Sequence, residues 1–296
     1  MNIEITGLSK VYPNGHAAIK DVSLQIGSGM FGLLGPNGAG KSSFMRILVT
    51  LQKATSGTIL MDGMDINEYR HKIRSQIGYL PQDFTFFSKL KTWEFLDYAA
   101  QLSTSFKRTD RLNRVDKLLD QVGLLDVRER MANKLSGGMK RRLGIAQALI
   151  GEPRLLVIDE PTTGLDPEER IRFRNILSDL SQKDVTIILS THIVADISST
   201  CHNMAMLNKG EVAFKGSPEG MIEQVRGHVW QVMLDDEEFN TLKTKYSVVS
   251  TIPADGKWEV QVIAKEQPHP AARVANPNLE HAYVYFMENE LGVSLV

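Results

Sequence analysis

Apolar and polar residues alternate along this chain with two different periods, and the change of period divides it into segments. Residues 2–34 favour period two: Ile3-Glu4-Ile5 and Val22-Ser23-Leu24-Gln25-Ile26 alternate, with Gly and Pro turns between them. That is the pattern of half-buried β-strands. Met30-Phe31-Gly32-Leu33-Leu34 is apolar throughout and predicts a short buried strand. Gly57 to Gly63 reads as a strand ending in an Asp-Gly turn, and Ile77-Gly78-Tyr79-Leu80 as a strand that stops at Pro81-Gln82-Asp83. From about 84 to 150 the period lengthens to that of a helix. Trp93, Leu96 and Ala100 share one face, as do Leu112, Val115, Leu118, Leu119 and Val122, and a third helix is expected from Ser136 through Leu143, Ala146 and Ile150. Strands return at Leu155–Ile158 and Val185–Ser190. Between these two strands a helix from Pro167 turns Phe173, Ile176, Leu177 and Leu180 inward. Strand–helix–strand in this order predicts a parallel sheet with right-handed crossovers. Met204 to Phe214, broken at Lys209-Gly210, predicts a hairpin.

A second unit is expected after Gly216-Ser217-Pro218. Trp230-Val232-Leu234 and Trp258-Val260-Val262 alternate like half-buried strands, with a helix predicted between them over Asp235–Tyr246. Beyond the Pro-rich Gln267-Pro268-His269-Pro270, a last helix is expected from about Asn278, with Leu279, Ala282, Tyr283 and Phe286 along one face. The resulting expectation is an α/β domain over 1–216, with a helical subdomain at about 84–150, and a small α+β appendage over 217–296.

Candidate chemistry concentrates at the ends of the predicted strands. Gly35-Pro36-Asn37-Gly38-Ala39-Gly40-Lys41-Ser42-Ser43 follows the buried strand and precedes a helical Phe44-Met45-Arg46-Ile47-Leu48. It fits G-x-x-x-x-G-K-[ST] in full, with Gly35, Gly40, Lys41 and Ser42 in the required places. Several backbone N–H groups must converge on one polyphosphate, and glycine backbone wraps that tightly without Cβ clashes. Lys41 supplies a mobile positive charge for the β- and γ-phosphates, and Ser42 a hydroxyl for Mg²⁺. The phosphates would lie on a helix N-terminus, where free amides and the dipole favour an anion.

Leu155-Leu156-Val157-Ile158-Asp159-Glu160 is an apolar strand ending in two acids. Asp159 is placed to hold the Mg²⁺ shell, and Glu160 to orient and deprotonate an attacking water; hydrolysis needs such a second acid and binding alone does not. His192 follows the next strand, at the carboxyl end of the sheet where ligands bind; it reads either as a donor to the γ-phosphate or as a structural histidine. Leu135-Ser136-Gly137-Gly138-Met139 combines a Ser cap with two glycines, a second helix N-terminus open to anions. Ser-Gly-Gly alone is equally compatible with an ordinary capped helix.

Composition narrows the class. Among 296 residues, 42% are hydrophobic and 23% charged, with a net charge of -1, ordinary values for a soluble globular chain with no general basic face for nucleic acid. The single cysteine, Cys201, excludes an internal disulfide and a cysteine zinc site, and reads as a small buried hydrophobe or, alternatively, a reactive thiol. No run approaches the ~20 apolar residues of a membrane span, and the N-terminus shows no signal-peptide pattern. A cytoplasmic chain is expected, with any membrane role exercised through a partner.

The phosphate loop, Gln82, Leu-Ser-Gly-Gly-Met, Leu-Leu-Val-Ile-Asp-Glu-Pro, Gly164-Leu165-Asp166 and His192, in that order, resemble the ATP-binding subunit of an ABC transporter over residues 2–216. The resemblance implies the phosphate-loop ATPase fold of that family, a mixed sheet with an antiparallel β subdomain and a helical subdomain. It implies that Tyr12 stacks on adenine, that Gln82 touches Mg²⁺ and the attacking water, and that His192 senses the γ-phosphate. It also implies that Ser136, Gly137, Gly138 and Met139 contact the ATP held by a second copy, that Asp166 crosses that interface, and that two Mg-ATP are enclosed by a head-to-tail homodimer. The implied partner is a separate membrane permease, contacted through the aromatic stretch Asp83-Phe84-Thr85-Phe86-Phe87, with the chain peripheral at the cytoplasmic face of the membrane. Met139 stands where glutamine is commoner and Arg141 where glutamine is frequent. The tail resembles that of exporters for drugs, antimicrobial peptides or ions, which makes export the expected direction. The rival expectations are a soluble ABC-type ATPase acting on nucleic acid or in translation, and a regulatory ATP-binding module without turnover. The absence of a coiled-coil insertion, of a second ATPase unit and of a basic stripe weighs against the first. Intact Glu160 and His192 weigh against the second.

Overall fold

The computed structural model describes residues 1–84, 89–290 and 292. They fall into two compact units, Met1–Lys215 and Gly216–Val296.

The first unit holds two sheets. Strands β1 (Ile3–Val11) and β2 (Ala17–Ile26) pair antiparallel, Ile3 opposite Ile26 and Ile5 opposite Leu24. Strand β3 (Met30–Leu34) leads into helix α1 (Lys41–Leu48). Strand β4 (Ser56–Met61) pairs antiparallel with β1 and turns through Asp62-Gly63 into the short β5 (Met64–Asp65). Both turn residues have positive φ, 47° and 76°, the geometry that matches strand twist in a two-residue hairpin and favours Asp-Gly there. The order of this sheet is β2-β1-β4-β5. Alternation puts Ile3, Ile5, Leu24, Ile26, Ile59 and Met61 into the core, where they meet Phe44, Met45, Ile47 and Leu48 of α1.

Helix α2 (Arg70–Arg74) precedes β6 (Ile77–Leu80), and α3 (Thr92–Ser103), α4 (Arg108–Gln121) and α5 (Gly137–Leu149) form the helical segment. Then follow β7 (Leu155–Asp159), α6 (Pro167–Ser181), β8 (Thr186–Thr191), α7 (Val194–Ser198), β9 (Asn203–Asn208) and β10 (Glu211–Gly216). The second sheet has the order β10-β9-β3-β8-β7-β6, and the pairs β6–β7, β7–β8, β8–β3 and β3–β9 are parallel. Strands covered on both faces carry continuous apolar runs instead of alternation. Every residue of β3, β7 and β8 is accordingly buried.

The helical segment departs in detail from the periodicity. In α3 the buried face is Thr92, Phe95, Leu96, Ala99 and Ala100. Trp93 is half-buried instead and lies beneath the Arg128 guanidinium at 5.6 Å. In α4 Val115, Leu118 and Leu119 are buried and Leu112 only partly so.

The second unit begins with α8 (Pro218–Glu223) and β11 (Val229–Leu234). The helix expected over Asp235–Tyr246 is shorter: α9 spans Asp236–Leu242, opened by an Asp235 capping box. The chain then turns into β12 (Ser247–Ala254), a strand the sequence reading did not separate, and β13 (Lys257–Ile263), β14 (Arg273–Val274) and α10 (Leu279–Tyr285) complete the unit. The sheet order is β12-β13-β11-β14 with antiparallel pairing. Val232, Leu234, Val260 and Val262 form its core with Leu242 of α9, and Phe239 stacks on Trp258 at 5.5 Å. Asn278 caps α10, and Leu279, Ala282 and Phe286 are buried with Tyr283 half-buried.

Candidate functional site

The loop Gly35–Ser43 joins the C-terminal end of β3 to α1. A β-carbon on Gly35 would strike the carbonyl oxygen of Leu207; one on Gly40, whose φ is 105°, would strike that of Ala18. Glycine at these two places lets the loop lie flat against its neighbours with its amides free to converge. Gly40 caps α1 without any side-chain bond, and no acid occupies the first turn. The helix amides and dipole therefore face the loop unneutralised, as an anion requires. Ala39 is buried inside the loop, its amide bonded to the Pro36 carbonyl at 3.1 Å.

Lys41 folds back over the loop. Its Nζ donates to the carbonyls of Gly35 at 2.8 Å and Pro36 at 3.1 Å, and lies 3.0 Å from Glu160 Oε1. Glu160 follows the tip of β7 with φ 46°, a left-handed conformation uncommon for a residue with a side chain. Two bonds from its amide hold the turn, to the carbonyl of Ser190 at 3.1 Å and to its hydroxyl at 3.2 Å. On its other oxygen, Oε2, Glu160 meets His192 Nδ1 at 2.8 Å and accepts from Thr163 Oγ1 at 3.3 Å. Burial opposes ionisation of this carboxyl. The hydrogen bond and charge of Lys41, with His192, outweigh burial and hold its pKa below the usual 4.5. Asp159 is buried at the strand tip, and its Oδ1 accepts from Ser190 Oγ.

Lys41, Glu160 and His192 border a cavity of about 470 Å³, whereas Gly35, Pro36, Ala39 and Asp159 lie behind its wall and do not line it. Of the residues singled out in the sequence, Tyr12, Asn37, Gly38, Gly40, Lys41, Ser42, Ser43, Gln82, Glu160 and His192 line it, joined by His16, Ala18 and Thr163. Tyr12 is tied down by its hydroxyl, 3.0 Å from Ser43 Oγ and 3.1 Å from Gln52 Oε1, leaving a ring nearly parallel to that of His16 at 6.4 Å. His16 and Thr163 carry no motif that would have marked them; proximity in the fold alone brings them in. The donor set fits Mg²⁺: the Ser42 hydroxyl, the Gln82 amide and the Asp159 carboxylate offer only hard oxygen ligands, few enough to leave room for water and phosphate oxygens.

Ser136, Gly137, Gly138, Met139 and Asp166 do not line this cavity. Ser136 caps α5, its Oγ accepting from the Met139 amide at 3.2 Å, and Gly137 has open space where a β-carbon would stand. Asp166 caps α6, accepting from the Glu169 amide at 2.9 Å. Arg142 locks the two helices together. Its buried guanidinium donates to the carbonyls of Val122 and Gly123, both at 2.9 Å, and to the Glu169 carboxylate at 3.2 and 3.3 Å. The two segments expected to face another copy thus share one largely buried ion pair. Cys201 is a buried core residue whose thiol pKa is pushed up to about 11, chiefly by burial, so it is no nucleophile at neutral pH. Of the aromatic stretch expected to meet a permease, Thr85, Phe86 and Phe87 lie outside the described residues. Among the described residues no helix is long and apolar enough to cross a membrane.

The family model "ABC transporter" matches residues 19–163. An uncharacterized ABC transporter ATP-binding protein of Synechocystis is 33% identical over 292 residues, 94% of this chain and 80% of the relative. A methionine import ATP-binding protein of Yersinia pestis is 38% identical over 224 residues, 73% of this chain and 68% of the relative. Among solved structures, a dimeric bacterial ABC transporter cassette matches with a TM-score of 0.67 at 27% identity, over 73% of this chain and 98% of the cassette. The same cassette, in a post-hydrolysis state bound to ADP and Pi, also matches with a TM-score of 0.67. Phosphate loop, acidic strand tip and fold agree with these likenesses: the chain belongs to the ATP-binding subunits of ABC transporters and is an ABC-type ATPase.

Proposed function

We propose that two copies of this chain close head to tail around two Mg-ATP and that closure and reopening drive a separate membrane permease. The observation that carries the proposal is the division of the nucleotide machinery. Lys41, Ser42, Gln82, Glu160 and His192 surround one cavity, while the capped, open N-terminus of α5 with Ser136, Gly137 and Gly138 stands outside it. A second anion-binding helix end is of use to a nucleotide only if that nucleotide is held by another copy.

In this reading the amides of Gly38–Ser43 and Lys41 hold the phosphates, and Tyr12 stacks on the base. Ser42, Asp159 and Gln82 would hold Mg²⁺, which when bound neutralises charge developing on the phosphate oxygens. Glu160 takes the proton of the attacking water, its carboxylate aimed by Thr163 and His192 once Lys41 has turned to the phosphates. His192 stands beside Glu160 as the γ-phosphate sensor, and Ser136–Met139 grip the γ-phosphate of the opposite copy. Asp166, on the helix locked to α5 by Arg142 and Glu169, crosses the interface. Cleavage removes the shared anion, and the copies part.

Permease coupling places the chain at the cytoplasmic face of the membrane. For the direction we favour export, on the tail's resemblance; import, the activity named in the methionine relative, is the competing outcome. The test is to tag the chain in its own cells, solubilise the membranes gently and identify what co-purifies. A polytopic membrane protein in about equal amount supports the proposal, and ATP-driven flux in vesicles made with that protein gives the direction. A pool that brings down only nucleic acid or soluble proteins overturns it.

A further inference from the structure

Helix α5 lies on strand β6 in a fixed register. A β-carbon on Gly78 would collide with the carbonyl oxygen of Ala148, and one on Gly144 would stand 2.6 Å from Leu80 Cδ1 and 3.0 Å from the Phe84 ring. Helix and strand therefore touch at Gly78 with Ala148 and again at Leu80 with Gly144, closer than any larger residue allows. At the next step Arg141, half-buried, donates from Nη1 to the carbonyl of Pro81 at 3.1 Å. Pro81 precedes Gln82, which lines the nucleotide cavity. Arg141 itself is two residues past Met139, in the first turns of α5. The carboxylates whose charge acts on it are Asp83, on the same segment as Gln82, and Asp159 at the tip of β7. A bond from a charged donor is about twice as strong as a neutral one. Here it adds to a contact in which Gly78 lies against the Ala148 backbone and the Leu80 and Phe84 side chains fill the space over Gly144.

We propose that Arg141 is a positioning residue that makes the N-terminus of α5 and the Gln82 end of β6 move as one body. The grip of α5 on the opposite copy's ATP then sets where Gln82 stands in its own copy's site. The inference rests on the two-copy reading above. Without the Arg141 bond, α5 still closes on the partner's nucleotide, but Gln82 no longer follows it.

The test uses the purified full chain and its Arg141→Met and Arg141→Lys variants. Equilibrium binding of a fluorescent ATP analogue, steady-state turnover and thermal melting are measured on each. For Arg141→Met the expected result is an analogue affinity within about twofold of the parent with kcat lowered about tenfold, the signature of a group that acts on the reacting state rather than on binding. The Hill coefficient for ATP falls toward 1, because the two sites no longer inform each other. Arg141→Lys, which keeps a charged donor, recovers part of both. An unchanged kcat per folded molecule, or a loss explained wholly by weaker analogue binding, overturns the proposal. A measurement that needs no variant at this position is hydrogen exchange on Glu160→Gln across an ATP titration. Amides of 77–84 and of 137–144 should gain protection with one common midpoint, and two separate midpoints overturn the coupling. If the parent chain shows no ATP-dependent self-association, the two-copy reading itself fails; association that survives with uncoupled midpoints removes only the role of Arg141.

Discussion

Lys41 Nζ and Glu160 Oε1 stand 3.0 Å apart, with their side chains 4% and 6% exposed. The cation of the phosphate loop and the carboxylate beyond the strand tip are thus one closely packed pair, and against the cost of burial Lys41 helps keep Glu160 ionised. Replacing Glu160 by glutamine preserves shape and hydrogen-bonding capacity while removing the proton acceptor. Glu160→Gln is expected to lower ATP turnover about a hundredfold or more, the usual range for a lost general base, with ATP affinity within about threefold. Phosphate release and equilibrium nucleotide binding check both halves. Turnover at the parental rate would show that Glu160 is not the base.

The same pair gives a pH dependence of stability. Glu160 has its pKa depressed below 4.5 in the folded chain. Its contribution is therefore present above the unfolded carboxylate range and is lost as pH falls below 4.5 through the folded value. Urea denaturation of parent and Glu160→Gln at pH 7 and at about pH 3.5 should show the gap between them shrinking at the lower pH. A gap that widens on acidification would contradict the assigned sign.

Arg142 and Glu169 form a second buried pair, with side chains 5% and 16% exposed. Removing Arg142 leaves the half-buried Glu169 with only the longer contact to Arg172 at 3.7 Å, which costs about 1–3 kcal/mol, whereas replacing both with apolar residues costs far less. Arg142→Met is therefore expected to lower Tm by about 2–4 °C for each kcal/mol lost, and Arg142→Met with Glu169→Leu to recover much of it. Scanning calorimetry decides; a single variant as stable as the parent would mean the pair does not fasten α5 to α6.

Gly40 is the position in the phosphate loop where a methyl group has no room. Its φ of 105° strains any residue with a β-carbon, and the carbonyl of Ala18 occupies the space. Gly40→Ala should shift the loop off Ala18 at a cost of about 1–3 kcal/mol and weaken ATP binding about tenfold. Gly38, with φ 81° but open space around it, should lose less on the same change. Equal effects at the two positions, measured by nucleotide titration, would contradict the steric account.

Most of the first unit was legible because its signals are local. The phosphate loop dictates its own turn, and β3 and β7 announce themselves as apolar runs because both faces are covered, while β8 shows only its central Ile187-Ile188-Leu189. The Asp62-Gly63 turn follows from two residues that tolerate positive φ. What stayed hidden depends on distance in sequence. Nothing near Thr163 or His16 shows that they will border the cavity, and nothing near Arg142 shows that Glu169, 27 residues on, will meet it. In the tail, Ser247–Ala254 carries polar residues and Pro253 on an edge strand, where weak alternation hid β12. Spacing alone turns Trp93 inward, but its amphipathic ring lies half-buried beneath the Arg128 guanidinium.

The central claim is that ATP joins two copies through the cavity of one and the helix end of the other. The most direct measurement is sedimentation of Glu160→Gln with and without MgATP, alone and with Gly137→Trp added, since a β-carbon at Gly137 enters open space at α5's exposed tip. The account predicts a monomer without nucleotide, a dimer holding two ATP per pair with it, and a monomer that still binds ATP once the tryptophan blocks the trans contact. A Glu160→Gln chain that stays monomeric when saturated with MgATP, or a dimer indifferent to Gly137→Trp, would contradict it.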